Sequence, residues 1–139
     1  MMKPGDIPYL SDVQEYVESL KRALKVRLVI LYGSTAKGSF GLGSDVDVLV
    51  VADDLPSNPV ERLKLLYDLD KTRAPLDVKG YTPGEVRRML AKGHPLIMDA
   101  LSDGVVLYGE KAYVEEVKRA FNRAKRKFKR FERGWIKVG

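Results

Sequence analysis

The feature that most constrains the fold is the stretch 33–50, where a glycine-rich loop leads into an apolar strand carrying two aspartates. Four of the chain's twelve glycines lie between positions 33 and 43. The segment DVDVLVVA that follows, residues 45–52, is rich in valine and apolar around its two aspartates, which predicts a buried strand. Because residues i and i+2 of a strand project to the same face, we expect Asp45 and Asp47 to lie together while the intervening valines enter the core.

A third carboxylate is available in the apolar segment LDVKGY, residues 76–81, which also reads as a strand. If the strand of Asp77 pairs beside the strand of Asp45 and Asp47, three carboxylates meet at one edge of the sheet. Neighbouring carboxylates repel one another, and a hard cation such as Mg²⁺ turns that repulsion into attraction. Three carboxylates can hold two ions about 3.5 to 4 Å apart, an arrangement that serves phosphoryl transfer.

The loop before the two aspartates has the chemistry of a phosphate site. Gly33 and Ser34 offer backbone N–H groups and a hydroxyl to phosphate oxygens, and Gly38 allows a ligand to approach the backbone. Lys37 adds a positive charge suited to a triphosphate. Each residue taken singly has an ordinary structural interpretation: a turn, a solvated carboxylate or a loop lysine. The combined spacing is what favours a functional site.

The remaining pattern predicts one α/β (α+β) domain, a small mixed sheet flanked by helices. Capping-box spacing marks helix starts at Ser11 and Thr82, and Asn58 followed by proline marks another. The predicted strands cover residues 27–32, 45–52, 76–81 and 105–109, and the predicted helices cover 11–25, 58–71, 82–92 and 96–101, with a last helix from 110.

Composition limits the classes of function. The 139 residues include no cysteine and one histidine, which excludes disulfides, thiolate metal sites, cysteine nucleophiles and paired-histidine metal motifs. No apolar run reaches the roughly 18 residues of a membrane span, and the N-terminus lacks an apolar signal core, so we expect a cytoplasmic protein without a membrane partner. The sequence has few Asn and Gln residues and many Lys, Arg and Glu residues, a composition that heat-adapted proteins show.

The end of the chain is strongly basic. Residues 118–139 hold ten Lys or Arg and one acid. Apolar residues recur from Val114 to Trp135 in steps of three and four, which predicts a basic amphipathic helix over 110–139, packed on or extending from a first domain over 1–109. Three interpretations stay open: the stripe packs on the domain, it docks another chain or a second copy, or the lysines and arginines clamp the phosphates of nucleic acid.

The chain contains Gly33-Ser34, then ten residues, then Asp45-x-Asp47, and Asp77 follows on a later strand. This pattern resembles the signature of the minimal nucleotidyltransferases of the polymerase-β-type superfamily. The family's loop often reads Gly-Ser-Arg-Ala-Arg-Gly. Here it reads GSTAKG, with threonine and lysine in the arginine positions, and Ser44 also fits the motif. The resemblance runs from about residue 10 to 109.

The resemblance implies a polymerase-β-like fold and transfer of a nucleoside monophosphate, most often AMP from ATP, to an acceptor hydroxyl with release of pyrophosphate. Two Mg²⁺ ions, or Mn²⁺, would be held by Asp45, Asp47 and Asp77, which would also be the catalytic residues. The nucleotide would be held by Gly33, Ser34, Lys37 and Ser44. One version of the family acts as an antitoxin that adds AMP to a tyrosine of a HEPN-family toxin. The alternatives are transfer to a nucleic-acid end or a small molecule, or a non-catalytic docking module.

Overall fold

The computed structural model describes residues 9–33, 45–131 and 134–138, and it contains a four-stranded mixed sheet with helices on both faces. The predicted α/β architecture is therefore confirmed. In chain order the elements are α1 Leu10–Ala23, β1 Val26–Tyr32, β2 Val46–Ala52, α2 Pro59–Asp68, β3 Leu76–Tyr81, α3 Pro83–Ala91, α4 Pro95–Asp103, β4 Val105–Gly109, α5 Lys111–Lys127, β5 Phe128–Phe131 and β6 Gly134–Lys137.

The strand order in the sheet is β3-β2-β1-β4. Strand β1 pairs antiparallel with both β2 and β4, whereas β2 and β3 run parallel. A parallel pair needs a long crossover, and α2 lies within the connection from β2 to β3. The two strands at the centre, β1 and β2, read as nearly continuous apolar runs because helices cover both of their faces.

Two buried clusters, one on each face of the sheet, make up the core. On one face Val46, Val48 and Val50 of β2 pack with α1 and with Leu66 of α2. On the other face Leu49 and Val51 of β2 pack with α3, α4 and α5. Alternate residues of β2 therefore enter different clusters, which fixes the face to which each side chain of the strand points.

Two of the three predicted helix starts are confirmed. Asn58 accepts hydrogen bonds from the backbone N–H groups of Val60 and Glu61, and Thr82 forms a complete capping box with Glu85. The predicted capping box at Ser11 is wrong. Helix α1 begins earlier, at Leu10, which packs against the core, so Ser11 lies inside the first turn and the helix has no side-chain cap.

The prediction of one helix over 110–139 is wrong for Phe128–Phe131 and Gly134–Lys137. Helix α5 ends at Lys127, and β5 and β6 form an antiparallel hairpin. The ring of Phe128 packs tightly on Gly93, and Arg130 pairs with two aspartates of α4 at 2.8 and 3.0 Å. These tertiary contacts hold the segment against α4, so they override the helical spacing of its aromatic residues.

The first half of the basic segment does pack on the domain. Helix α5 buries Tyr113, Val117, Phe121 and Ala124 in the second cluster and leaves its lysines and arginines exposed. In the part of the chain that the structure describes, no helix is both long and apolar enough to cross a membrane.

Candidate active site

Asp47 and Asp77 lie opposite each other on the adjacent parallel strands β2 and β3. Asp47 shares its face of β2 with Leu49 and Val51, which pack with α3, α4 and α5. A residue and its register partner on neighbouring strands project to the same side of a sheet, so the two carboxylates face one another. The structure thus brings together two of the three aspartates that the sequence singled out.

Asp45, the third aspartate, is exposed and directly precedes β2. Its charge contributes to the shift in the pKa of Asp47, so it lies close enough to interact with the pair. Over residues 9–33, 45–131 and 134–138, however, no group of three Asp, Glu, His or Cys side chains is gathered closely enough to hold a metal ion. The structure therefore places the carboxylates of Asp47 and Asp77 together, and Asp45 lies near this pair.

The carboxyl group of Asp47 has a raised pKa. Burial raises the pKa of Asp47 first, and the nearby charge of Asp77 raises it further, whereas the ammonium group of Lys79 lowers it. A hydrogen bond between the two carboxyl groups adds to the increase. Two partly buried like charges are thus held together at an energetic cost that a bound cation would offset.

Lys79 is a site residue that sequence reasoning missed. It lies two residues after Asp77 on the same face of β3, and its Nζ is 3.4 Å from both carboxylate oxygens of Asp77. Both side chains are about 40% exposed, so the contact is a loose surface ion pair. The i, i+2 spacing in LDVKGY was the signal that could have identified this residue.

Gly33 has a structural role that the phosphate-loop interpretation did not include. It ends β1 with φ of 70°, a left-handed conformation that favours glycine. A Cβ atom built at this position would overlap Oδ2 of Asp47. The absent side chain thus makes room for the aspartate carboxylate itself.

Tyr32 is a second residue that the sequence did not single out. It is the register partner of Asp47 across the antiparallel β1–β2 pair. Burial, and then the charges of Asp47 and Asp77, raise the pKa of its phenol. The hydroxyl therefore remains protonated when the carboxylates are ionised, and it can act as a hydrogen-bond donor at the edge of the site.

The donor chemistry fits a divalent cation. Mg²⁺ and Mn²⁺ bind carboxylate oxygens, and Asp47 and Asp77 present such oxygens with an excess of negative charge between them. Asp45 is the available third ligand. The other residues predicted to hold the nucleotide, Ser34, Lys37 and Ser44, lie outside the described residues.

Comparison with known proteins gives a consistent result. The family model of the nucleotidyltransferase domain matches residues 13–107. A candidate protein adenylyltransferase of Methanocaldococcus jannaschii is 29% identical over 132 residues, which cover 88% of this chain and 90% of that protein. This level of identity extends along nearly the whole of both chains.

Solved structures also match this chain at lower identity. A candidate nucleotidyltransferase from Sulfolobus solfataricus is 22% identical, with a TM-score of 0.56 over 76% of this chain and 85% of that chain. A complex of an MNT antitoxin with a tri-AMPylated HEPN toxin of Shewanella oneidensis matches with 15% identity and a TM-score of 0.44, covering 82% and 88% of the two chains. Since the domain model spans well over half of the sequence, the chain belongs to the nucleotidyltransferase domain family, and its class of activity is nucleotidyl transfer.

Proposed function

We propose that this nucleotidyltransferase transfers AMP from ATP to a tyrosine hydroxyl of a HEPN-family partner protein, with Mg²⁺ bound at Asp45, Asp47 and Asp77. The observation that carries the proposal is the facing pair of Asp47 and Asp77, held together despite their repulsion. The motif resemblance and the similarity to a candidate protein adenylyltransferase support a protein hydroxyl as the acceptor.

In the proposed reaction the oxygen of the acceptor hydroxyl attacks the α-phosphorus of ATP. A new oxygen–phosphorus bond forms, the bond from the α-phosphorus to the bridging oxygen breaks, and pyrophosphate leaves. The proton of the hydroxyl passes to the carboxylate of Asp77. The products are AMP-tyrosine and pyrophosphate, so atoms and charge balance.

The chain's own residues hold and orient the reactants. Asp47, fixed against Gly33, and its neighbour Asp77 provide the oxygen ligands on rigid strands. Gly33, Ser34, Lys37 and Ser44 would bind the triphosphate through N–H, hydroxyl and ammonium groups. The bound cation supplies charge neutralisation at the phosphates, the main source of rate enhancement in such sites.

The test is incubation of the protein with a purified HEPN-family protein, α-labelled ATP and Mg²⁺. We expect label on the partner, one pyrophosphate per AMP transferred, and a mass increase on a tyrosine. GTP, CTP and UTP tested in parallel would establish the base preference. Asp47→Asn and Asp77→Asn should each reduce labelling by at least about 100-fold, since electrostatic groups at reacting phosphates contribute that much.

The matched control is Asp68→Asn, the same chemical change at an exposed position near the end of α2. It should label the partner at the wild-type rate. Full labelling by Asp47→Asn would refute the catalytic assignment. A protein that binds the partner tightly but shows neither metal-dependent ATP binding by calorimetry nor transfer would instead be a docking module.

A further inference from the structure

The cleft between α3 and α5 is lined by four exposed cations. Arg87 projects from α3, and Arg123, Arg126 and Lys127 project from α5, around a space of about 340 Å³. The floor of the cleft is apolar and consists mainly of Leu90 with small alanines from both helices. We call these four residues and their floor the basic cleft.

The four cations of the basic cleft make no ion pair with any other residue in the described part of the chain. Three arginines elsewhere in the fold are neutralised. Arg27 pairs with two carboxylates at 2.6 and 2.7 Å, Arg62 pairs with Glu85 at 2.7 Å, and Arg130 binds two aspartates of α4. The four unpaired cations of the basic cleft surround one concave surface, where an anionic ligand would supply the missing charge.

From these observations we infer that the basic cleft binds the phosphate backbone of a single nucleic-acid strand. Guanidinium groups can bind the oxygens of a phosphate in a two-pronged geometry. Arg123 and Lys127 are one helical turn apart, about 6 Å along α5, a distance comparable to that between neighbouring phosphates of one strand. The volume of the cleft, about 340 Å³, is far smaller than one turn of a duplex, so only part of a single strand can lie within it.

The cleft also determines what kind of recognition to expect. Its floor of leucine and alanine offers no side-chain hydrogen-bonding group to a base edge and no aromatic ring for stacking. Binding should therefore be independent of sequence and depend on salt. Since α3 and α5 cover the same face of the sheet from which Asp47 and Asp77 project, a bound strand would lie on the active-site side of the sheet.

The test is fluorescence anisotropy with labelled 12-nucleotide oligouridine and oligothymidine, titrated between 50 and 200 mM salt. Four phosphate contacts give a slope of about −2.8 for log affinity against log salt, a loss of about 50-fold over this range. The variant Arg87→Gln/Arg123→Gln/Arg126→Gln should make the slope shallower by about 2. RNA bound more tightly than DNA would identify RNA as the source of the phosphates.

The matched control removes three cations from the α1 and α2 side of the sheet: Arg22→Gln/Lys25→Gln/Lys64→Gln. It should leave the slope unchanged, and an equal loss in this control would overturn the inference in favour of a net-charge effect. Displacement of the oligonucleotide by an equal concentration of polyglutamate would also overturn it, in favour of an acidic protein partner. If the triple cleft variant fails to fold by circular dichroism, Arg126→Gln alone should still make the slope shallower by about 0.7. Because the assay measures binding without ATP, its result is independent of the proposed transfer reaction.

Discussion

Replacing Asp47 with asparagine should make the protein more stable while it abolishes nucleotidyl transfer. Neighbouring strands lie about 4.8 Å apart, and two unit charges at that separation repel by roughly 3.5 kcal/mol at an effective dielectric constant of 20. The carboxylate of Asp77 is 39% exposed and has Lys79 beside it, so solvent and the ammonium group screen most of this repulsion. We expect a gain of roughly 1 kcal/mol in the free energy of unfolding, or a few degrees in the melting temperature.

The effect should depend on pH in a defined direction. The pKa of Asp47 is raised in the folded state above its ordinary value of 3.8, so the folded protein binds this proton more readily than the unfolded chain. Stability from this group is therefore lost as the pH rises from the ordinary pKa through the raised one. Because asparagine carries no charge, the gain in the free energy of unfolding from Asp47→Asn should be complete at pH 7 and almost absent below pH 4.

The assay is thermal unfolding of wild type and Asp47→Asn from pH 3.5 to 8, with and without Mg²⁺. Mg²⁺ should raise the melting temperature of the wild type and have little effect on the variant. Asp68→Asn, which removes only an exposed pair with Lys64, should cost no more than about 0.5 kcal/mol at any pH. An Asp47→Asn variant that melts below the wild type at pH 7 would show that the carboxylate stabilises the fold.

Three further outcomes follow from particular contacts. Gly33→Ala should lower the free energy of unfolding by about 1 to 2 kcal/mol because of its left-handed backbone, and it should reduce transfer by displacing Asp47. Gly134→Ala, at a position with open space around it, should leave transfer intact, and equal transfer rates for the two variants would contradict this reasoning. Leu66→Ala, at a position 1% exposed, should lower the free energy of unfolding in urea by about 2 to 5 kcal/mol, and a loss under 1 kcal/mol would mean that the core closes around the cavity. Thr82→Ala should cost about 1 kcal/mol in the same urea assay because it removes the capping box, and no change would mean that water replaces the hydroxyl.

The parts of the fold that the sequence predicted well are those decided by local chemistry. Valine-rich runs mark β1 and β2 because both faces of these strands are buried. Asn58 and Thr82 mark helix starts because their side chains satisfy backbone N–H groups within the next three residues. Neither signal needs information from distant parts of the chain.

The parts that the sequence failed to predict depend on contacts between distant residues. The aromatic spacing after Lys127 is compatible with a helix, and only the contacts of Phe128 with Gly93 and of Arg130 with α4 select the hairpin. At the site, the aspartates were recognisable from their spacing and from the family resemblance. The roles of Tyr32 and Lys79 follow from the pairing of β1, β2 and β3, which one sequence does not reveal.

The parallel register of β2 and β3 links the chemistry of this domain to the correctness of its folding. A slip of one residue would turn Asp77 toward the cluster around Leu66 and move Val78 from that cluster to the opposite face. Such a molecule would bury a charge in the core and lose a buried valine at the same time, so it could not persist as a stable but inactive form. Stability against this slip and the alignment of the two acids therefore depend on the same register.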